Sequence, residues 1–85
     1  MRKEIFTIAT GTGLQERAAA LLTDVANRFT CNITIEYSGR KLNCKSFLSV
    51  LSLAVPEGTD VAFTCDGNDE DAAITALEKF CNSVA

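Results

Sequence analysis

Two short stretches of this 85-residue chain bring together residue types that could do chemistry. One is Gly13-Leu14-Gln15-Glu16-Arg17; the other is Lys45-Ser46 with the apolar run behind it. Ser46 is the sharper of the two. Serine is a good helix N-cap, and a capping hydroxyl lies exposed beside backbone N–H groups that have no partner inside the helix. A phosphate added to Ser46 would gain hydrogen bonds and a favourable dipole interaction there. It would also set roughly −1.5 to −2 charges beside Phe47, Leu48 and Leu51, with Lys45 able to pair with it. A plain capping role is physically sufficient as well, and both roles can hold at once. The apolar residues Phe47, Leu48 and Leu51 form a docking patch if they reach solvent together. Val50 and Leu53 are expected in the core.

Gln15 and Arg17 offer less. An amide nitrogen is not nucleophilic and does not titrate near neutral pH, so Gln15 cannot carry a labile phosphoryl group. It can cap a helix end, hydrogen-bond a partner, or be merely an exposed polar residue. The Arg17 guanidinium suits bidentate contact with phosphate or carboxylate. A cation near a helix N-terminus is electrostatically unfavourable, which favours a functional reason for keeping it over a merely solvated arginine.

Other chemistry is poorly supported. The chain has no histidine, no nucleophile elbow and no metal-ligand spacing, so no catalytic apparatus and no cofactor are expected. Gly11-x-Gly13 lacks the Gly-Lys-Ser/Thr that a phosphate-cradling loop needs, and strand-to-helix turn geometry explains both glycines. Asp66, Asp69, Glu70 and Asp71 have the wrong spacing for a calcium loop and read as a solvated turn with first-turn acids. The cysteines Cys31, Cys44, Cys65 and Cys81 contain no Cys-x-x-Cys unit. They are expected to be reduced thiols used as small core residues. An even count allows disulfides, but nothing suggests secretion.

The elements that must position these residues follow from hydrophobic period. Lys3 to Ala9, with Phe6 and Ile8 on one face, suits a strand. From about Gln15 to Phe29 the positions Ala19, Leu22, Ala26 and Phe29 recur at helical spacing, widened by Leu21 and Val25. Asn32 to Ser38 alternates, and Ser38-Gly39 marks a tight hairpin turn into a short strand from Arg40 to Asn43. Ser46 to Leu53 fits either a short helix or a buried strand; the capping serine and the leucines favour the helix. Pro56-Glu57-Gly58 is a turn, and Thr59 to Cys65 alternates again. Asn68 or Asp69 can cap a last helix from about Glu70 to Ser83, with Ala73, Ile74, Leu77, Phe80, Cys81 and Val84 inward. The order β-α-β-β-α-β-α predicts a two-layer α+β sandwich with the helices on one face of the sheet.

Length and composition agree with one small domain over residues 1–85. Such a chain buries only about 60 to 65% of its unfolded surface, so its stability is expected to be modest. The apolar fraction of 47% argues against disorder. A net charge of −3 with no basic run argues against direct nucleic-acid binding. The apolar runs fall far short of the roughly 18 to 20 residues that span a bilayer, so no membrane is expected. Met1-Arg2-Lys3-Glu4-Ile5 is not expected to be a signal peptide, and a cytoplasmic location is expected.

The whole frame resembles HPr, the small phosphocarrier of the bacterial sugar phosphotransferase system. The resemblance rests on Gly13-Leu14-x-x-Arg17, on Phe29 with the strand after it, and on Leu42-Asn43-x-Lys45-Ser46. It continues through Val50-Leu51-Ser52-Leu53-Ala54-Val55 and Gly58-Thr59-Asp60-Val61. In HPr a Gly-Leu-His-Ala-Arg-Pro-Ala segment opens the first helix, and its histidine carries the phosphoryl group; Gln15 stands in that place here. Among HPr-like proteins the chain is most similar in character to the Crh type, which keeps the serine and has glutamine for histidine. The resemblance implies an open-faced sandwich with a four-stranded antiparallel sheet, and phosphorylation of Ser46 by HPr kinase/phosphorylase. It further implies a regulator of carbon catabolite repression of the LacI type as partner, met through Gln15, Arg17, Lys45, Phe47, Leu48 and Leu51. An alternative is a paralogue that docks to phosphotransferase-system enzymes without carrying phosphate. Glu16 and Ala18 replace the family's Ala and Pro, and Phe47, Leu48 and Ser49 replace its Ile, Met and Gly.

Overall fold

The structure, a computed structural model, describes residues 1–9 and 13–82. Gly11, Ser83 and Val84 therefore lie outside the described residues, and with them the Gly11 half of the glycine pair and the last inward position of the final helix. The elements run β1 (Arg2–Thr7), α1 (Glu16–Ala26), β2 (Asn32–Tyr37), β3 (Arg40–Asn43), α2 (Phe47–Leu53), β4 (Asp60–Asp66) and α3 (Glu70–Cys81). The four strands form one antiparallel sheet in the order β1-β4-β2-β3. The strand closing the chain's β-order thus lies between the first two, and every expected element is present.

Alternation decides the faces. On β4, Val61, Phe63 and Cys65 are buried while Ala62 and Thr64 look outward; on β2, Ile33 and Ile35 are buried. The helices supply the other half of the core through Ala18, Ala19, Leu22 and Ala26 of α1, Val50 and Leu53 of α2, and Ala73, Ile74, Leu77 and Cys81 of α3. Phe63 sits at the centre, fully buried, with its ring 6.1 Å from that of Phe6. The β2–β3 turn is the tight hairpin the dipeptide implies. Ser38 and Gly39 both adopt positive φ (54° and 79°), which matches the twist of the strands they join.

Three details depart from the periodic reading. Helix α1 stops at Ala26, not Phe29. Asn27 ends it, with its backbone N–H on the Thr23 carbonyl, and Phe29 follows in a turn, half-buried against the core. Within α1, Ala18 rather than Leu21 faces inward; Leu21 is 47% exposed, because the helical turn sets it outside the arc that holds Ala18, Leu22, Ala26 and Ala19. Asp69 stands at the N-cap of α3 but does not cap it. Its carboxylate instead accepts from the backbone N–H groups of Thr30 (2.8 Å) and Cys31 (2.9 Å), and from the Thr30 hydroxyl (3.3 Å). The Thr30 and Cys31 N–H groups hold it at a pKa of about 2.

All four cysteines are free and buried. Burial pushes the Cys44 thiol far up, and Cys65 and Cys81 up to about 12. They are protonated, inert packing groups at neutral pH, as expected.

Candidate functional site

Helices α1 and α2 pack against each other and carry all of the candidate residues except Lys45, Ser46 and Gln15, which immediately flank them. Their ends are opposed. Leu14 N–H donates to the Val55 carbonyl (2.8 Å), so the start of α1 meets the end of α2. Asn27, at the end of α1, meets Lys45, at the start of α2 (3.1 Å). Gln15 with Arg17 and Ser46 therefore occupy opposite ends of the helix pair. Ten residues of α1 separate Arg17 from Asn27, about 15 Å of helix rise. The structure brings Ser46 together with Lys45 and Phe47, but not with Arg17.

Ser46 is the N-cap of α2. It has extended backbone (φ −101°, ψ 113°), and its Oγ accepts from the Ser49 N–H at 3.4 Å, the geometry that makes serine a helix start. The turn before it is closely built. The Asn43 side-chain oxygen accepts from Lys45 N–H (2.9 Å), and Ser46 N–H donates to the Asn43 carbonyl (3.1 Å). An asparagine bonding two residues ahead in this way makes an Asx turn. Two further bonds tie the turn to the end of α1. Asn27 Nδ2 donates to the Lys45 carbonyl as well as to the Thr23 carbonyl (2.9 Å), and Lys45 Nζ donates to the Phe29 carbonyl (2.7 Å). That bond engages one of the three donors of the Lys45 ammonium.

Along α2 the apolar candidates divide. Leu48 is 74% exposed, while Phe47 and Leu51 are half-buried and packed on the core, and Val50 and Leu53 are buried as expected. Phe47 and Leu51 are one turn apart and share the inward-leaning side; Leu48 shares the outer side with Ser52. Of the expected three-residue patch, only Leu48 stands free. At the far end, Arg40 donates to the Ser52 carbonyl (3.2 Å), which places a cation at the C-terminus of α2. Ala54 ends the helix in the left-handed region (φ 51°).

Gln15 and Arg17 are exposed. Gln15 occupies the N-cap position of α1, yet its side chain makes no capping bond. Arg17 forms no ion pair among the described residues. Gly13, in front of them, has φ +71°, and a Cβ there would lie 2.4 Å from the Val55 carbonyl oxygen. Only glycine permits this junction.

Sequence reasoning missed Asn27 and Asn43. The signal for Asn43 was present, because Asn two residues before an amide donor and next to a turn is an Asx-turn pattern. No local signal marks Asn27, whose partner is eighteen residues away.

A family profile described as the PTS HPr component phosphorylation site matches residues 2–83. The chain belongs to the HPr family. It is similar to the HPr-like protein Crh of Halalkalibacterium halodurans, 48% identical over 69 residues, which span 81% of this chain and 82% of that protein. Its fold is similar to HPr-C-His of Thermoanaerobacter tengcongensis (TM-score 0.93, 36% identity, 98% of this chain and 93% of that one). It is also similar to Crh of Bacillus subtilis, described as a catabolite repression protein that forms a swapped dimer (TM-score 0.75, 44% identity, 82% and 80% covered). The open-faced HPr sandwich expected from the resemblance is the fold of this chain. Within that family the chain is Crh-like, and the catabolite-repression description belongs to its Bacillus subtilis relative. HPr and Crh relatives are phosphocarriers or regulatory proteins and not catalysts in the usual sense. Among the described residues, no helix is long and apolar enough to cross a membrane.

Proposed function

We propose that this chain is a regulatory binding module of the cytoplasm that acts through phosphorylation of Ser46. HPr kinase/phosphorylase supplies the modification. The phosphorylated form then binds a LacI-type regulator of carbon catabolite control. The observation that carries this reading is the position of Ser46: an N-cap hydroxyl at the head of α2, two residues before the exposed Leu48. A phosphate at Ser46 and an apolar side chain one step along the same helix make a surface whose charge can be switched while its shape is kept. The chain has no histidine and carries Gln15 in the carrier's place, so phosphoryl relay is not part of its action.

The test is intact mass and peptide mapping after incubation with HPr kinase and ATP, followed by binding to the regulator. One phosphate on Ser46 and binding only of that form are the expected results. Full regulator binding by a Ser46→Ala protein would sink the reading.

The open end of the helix pair favours a second reading. Gln15 and Arg17 are exposed and lack side-chain partners among the described residues, so they remain free to dock. In this reading the chain binds enzyme I or a sugar-specific subunit of the phosphotransferase system without carrying phosphate. Titration calorimetry that finds binding to neither would remove it.

A further inference from the structure

We propose that Asn27 is a positioning residue for phosphoryl transfer to Ser46; this inference rests on the Ser46 reading above. In that reaction the Ser46 Oγ forms a bond to the γ-phosphorus of ATP. The bond from that phosphorus to the ADP oxygen breaks, and the hydroxyl proton passes to a base of the kinase. In-line attack of this kind depends on where the accepting oxygen is held, and a misplacement of about 1 Å can cost up to about a hundredfold in rate. Ser46 is not held by α2 alone, because α2 has seven residues and Ser46 sits ahead of its first turn. What fixes it is the segment 43–46, and that segment is fastened to α1. Asn27 Nδ2 spans the gap, donating to Thr23 O at 2.9 Å within α1 and to Lys45 O at 3.1 Å across it. Lys45 Nζ returns the link to Phe29 O at 2.7 Å. The Asn43 Asx turn then passes this placement to Ser46 through the Ser46 N–H at 3.1 Å. A carbonyl pinned immediately before Ser46 restricts the peptide plane from which its N-cap geometry starts.

Asn27 is exposed and outside the core, so a chain with Asn27→Ala is expected to fold. It is also not part of the surface assigned to partners. These two properties make a clean test. Steady-state phosphorylation by purified HPr kinase with ATP is measured for the full chain, for Asn27→Ala and for Asn27→Gln. The temperature is kept well below each unfolding midpoint, as established by circular dichroism. The expected result for Asn27→Ala is a kcat lower by about tenfold with KM within about twofold of the unaltered chain. Asn27→Gln, which keeps a donating amide one methylene further out, should recover part of that loss. An unchanged kcat in Asn27→Ala overturns the proposal. So does a rise in KM at constant kcat, which would make Asn27 a direct kinase contact. If the unaltered chain accepts no phosphate, it is the Ser46 reading itself that fails; if it accepts phosphate and the variants match it, only the role of Asn27 fails.

Discussion

At one end of the α1–α2 pair, Ser46 sits in a turn bonded to α1 from both sides, through Asn27 and through Lys45. At the other, Gln15 and Arg17 stand in solvent, and the N-cap side chain of α1 caps nothing. Yet both ends are anchored with equal care at the backbone. Gly13 approaches Val55 so closely that no side chain fits, just as Asn43 and Asn27 lock the segment before Ser46. The contrast lies in the reactive group, not in the scaffold. By the resemblance to HPr, Gln15 stands in the place of the carrier histidine. The Gln15 amide cannot carry a phosphoryl group, whereas the Ser46 end keeps a hydroxyl on its platform, the group on which the proposed phosphorylation depends.

The sharpest way to break this contrast is Ser46→Ala. It should abolish phosphorylation and regulator binding together, while costing the fold only about 1 kcal/mol for the lost cap. Mass spectrometry and urea unfolding check the two halves separately, and phosphate found on another serine would move the active end elsewhere.

The scaffold at the silent end is tested by Gly13→Ala. A methyl group 2.4 Å from the Val55 oxygen, in a backbone region that disfavours it, should lower stability by about 2–4 kcal/mol. Chemical denaturation reads this directly. A near-neutral result would mean that the α1–α2 junction yields, and that the two ends are not equally anchored.

Leu48→Ala separates surface from core. The side chain is exposed, so stability should change by no more than about 0.5 kcal/mol. Binding of the Ser46-phosphorylated chain to its regulator should weaken about tenfold, or about 1.4 kcal/mol, in calorimetry. Equal affinities would take Leu48 out of the docking surface and leave the phosphate to act alone.

The smallest effect concerns the clip between α3 and the segment that leads from α1 into β2. Hydrogen bonds from Thr30 and Cys31 hold the Asp69 carboxyl at about 2 in the folded chain, below its ordinary 3.8. A carboxylate whose folded pKa is depressed stabilises fully above its unfolded pKa and ceases to do so as pH falls through the folded one. Asp69→Ala should therefore lower the unfolding midpoint near pH 7. The gap between variant and parent should close as pH falls from about 4 to about 2. A gap that stays constant over that range would mean that the carboxylate charge is not what holds the clip.

The elements were legible because each writes its own period. Alternation at Ile33 and Ile35, and at Val61, Phe63 and Cys65, announces half-buried strands. Ser38-Gly39 announces the hairpin, and Ser46 ahead of a leucine-rich run announces a capped helix. Each signal depends on neighbours within a few residues. The placement of the candidate residues was legible to the same depth, with Ser46 and Leu48 found where a capped helix would present them. Their supports were not. Asn68 or Asp69 read as a helix cap, and Asp69 instead bonds Thr30 and Cys31, thirty-nine and thirty-eight residues earlier. Leu21 read as core and lies outside, because the helical turn sets it beyond the arc of Ala18, Leu22, Ala26 and Ala19. Phe47 and Leu51, which were to join Leu48 in a patch if they reached solvent, are partly buried and pack on the core. Periodicity states that a helix has an apolar side, but not where a neighbouring element will touch it.

The sequence by itself determined the order of elements, the faces of the strands, the absence of any histidine and the capping role of Ser46. Only the tertiary structure decided that Ser46 and Arg17 lie at opposite ends of a helix pair, and that Asn27 fastens the segment before Ser46 to α1. Periods and caps are energies between near neighbours in the chain. The choice among many possible hydrogen-bond partners is made only when distant segments are packed together and each buried or shared polar group must find one.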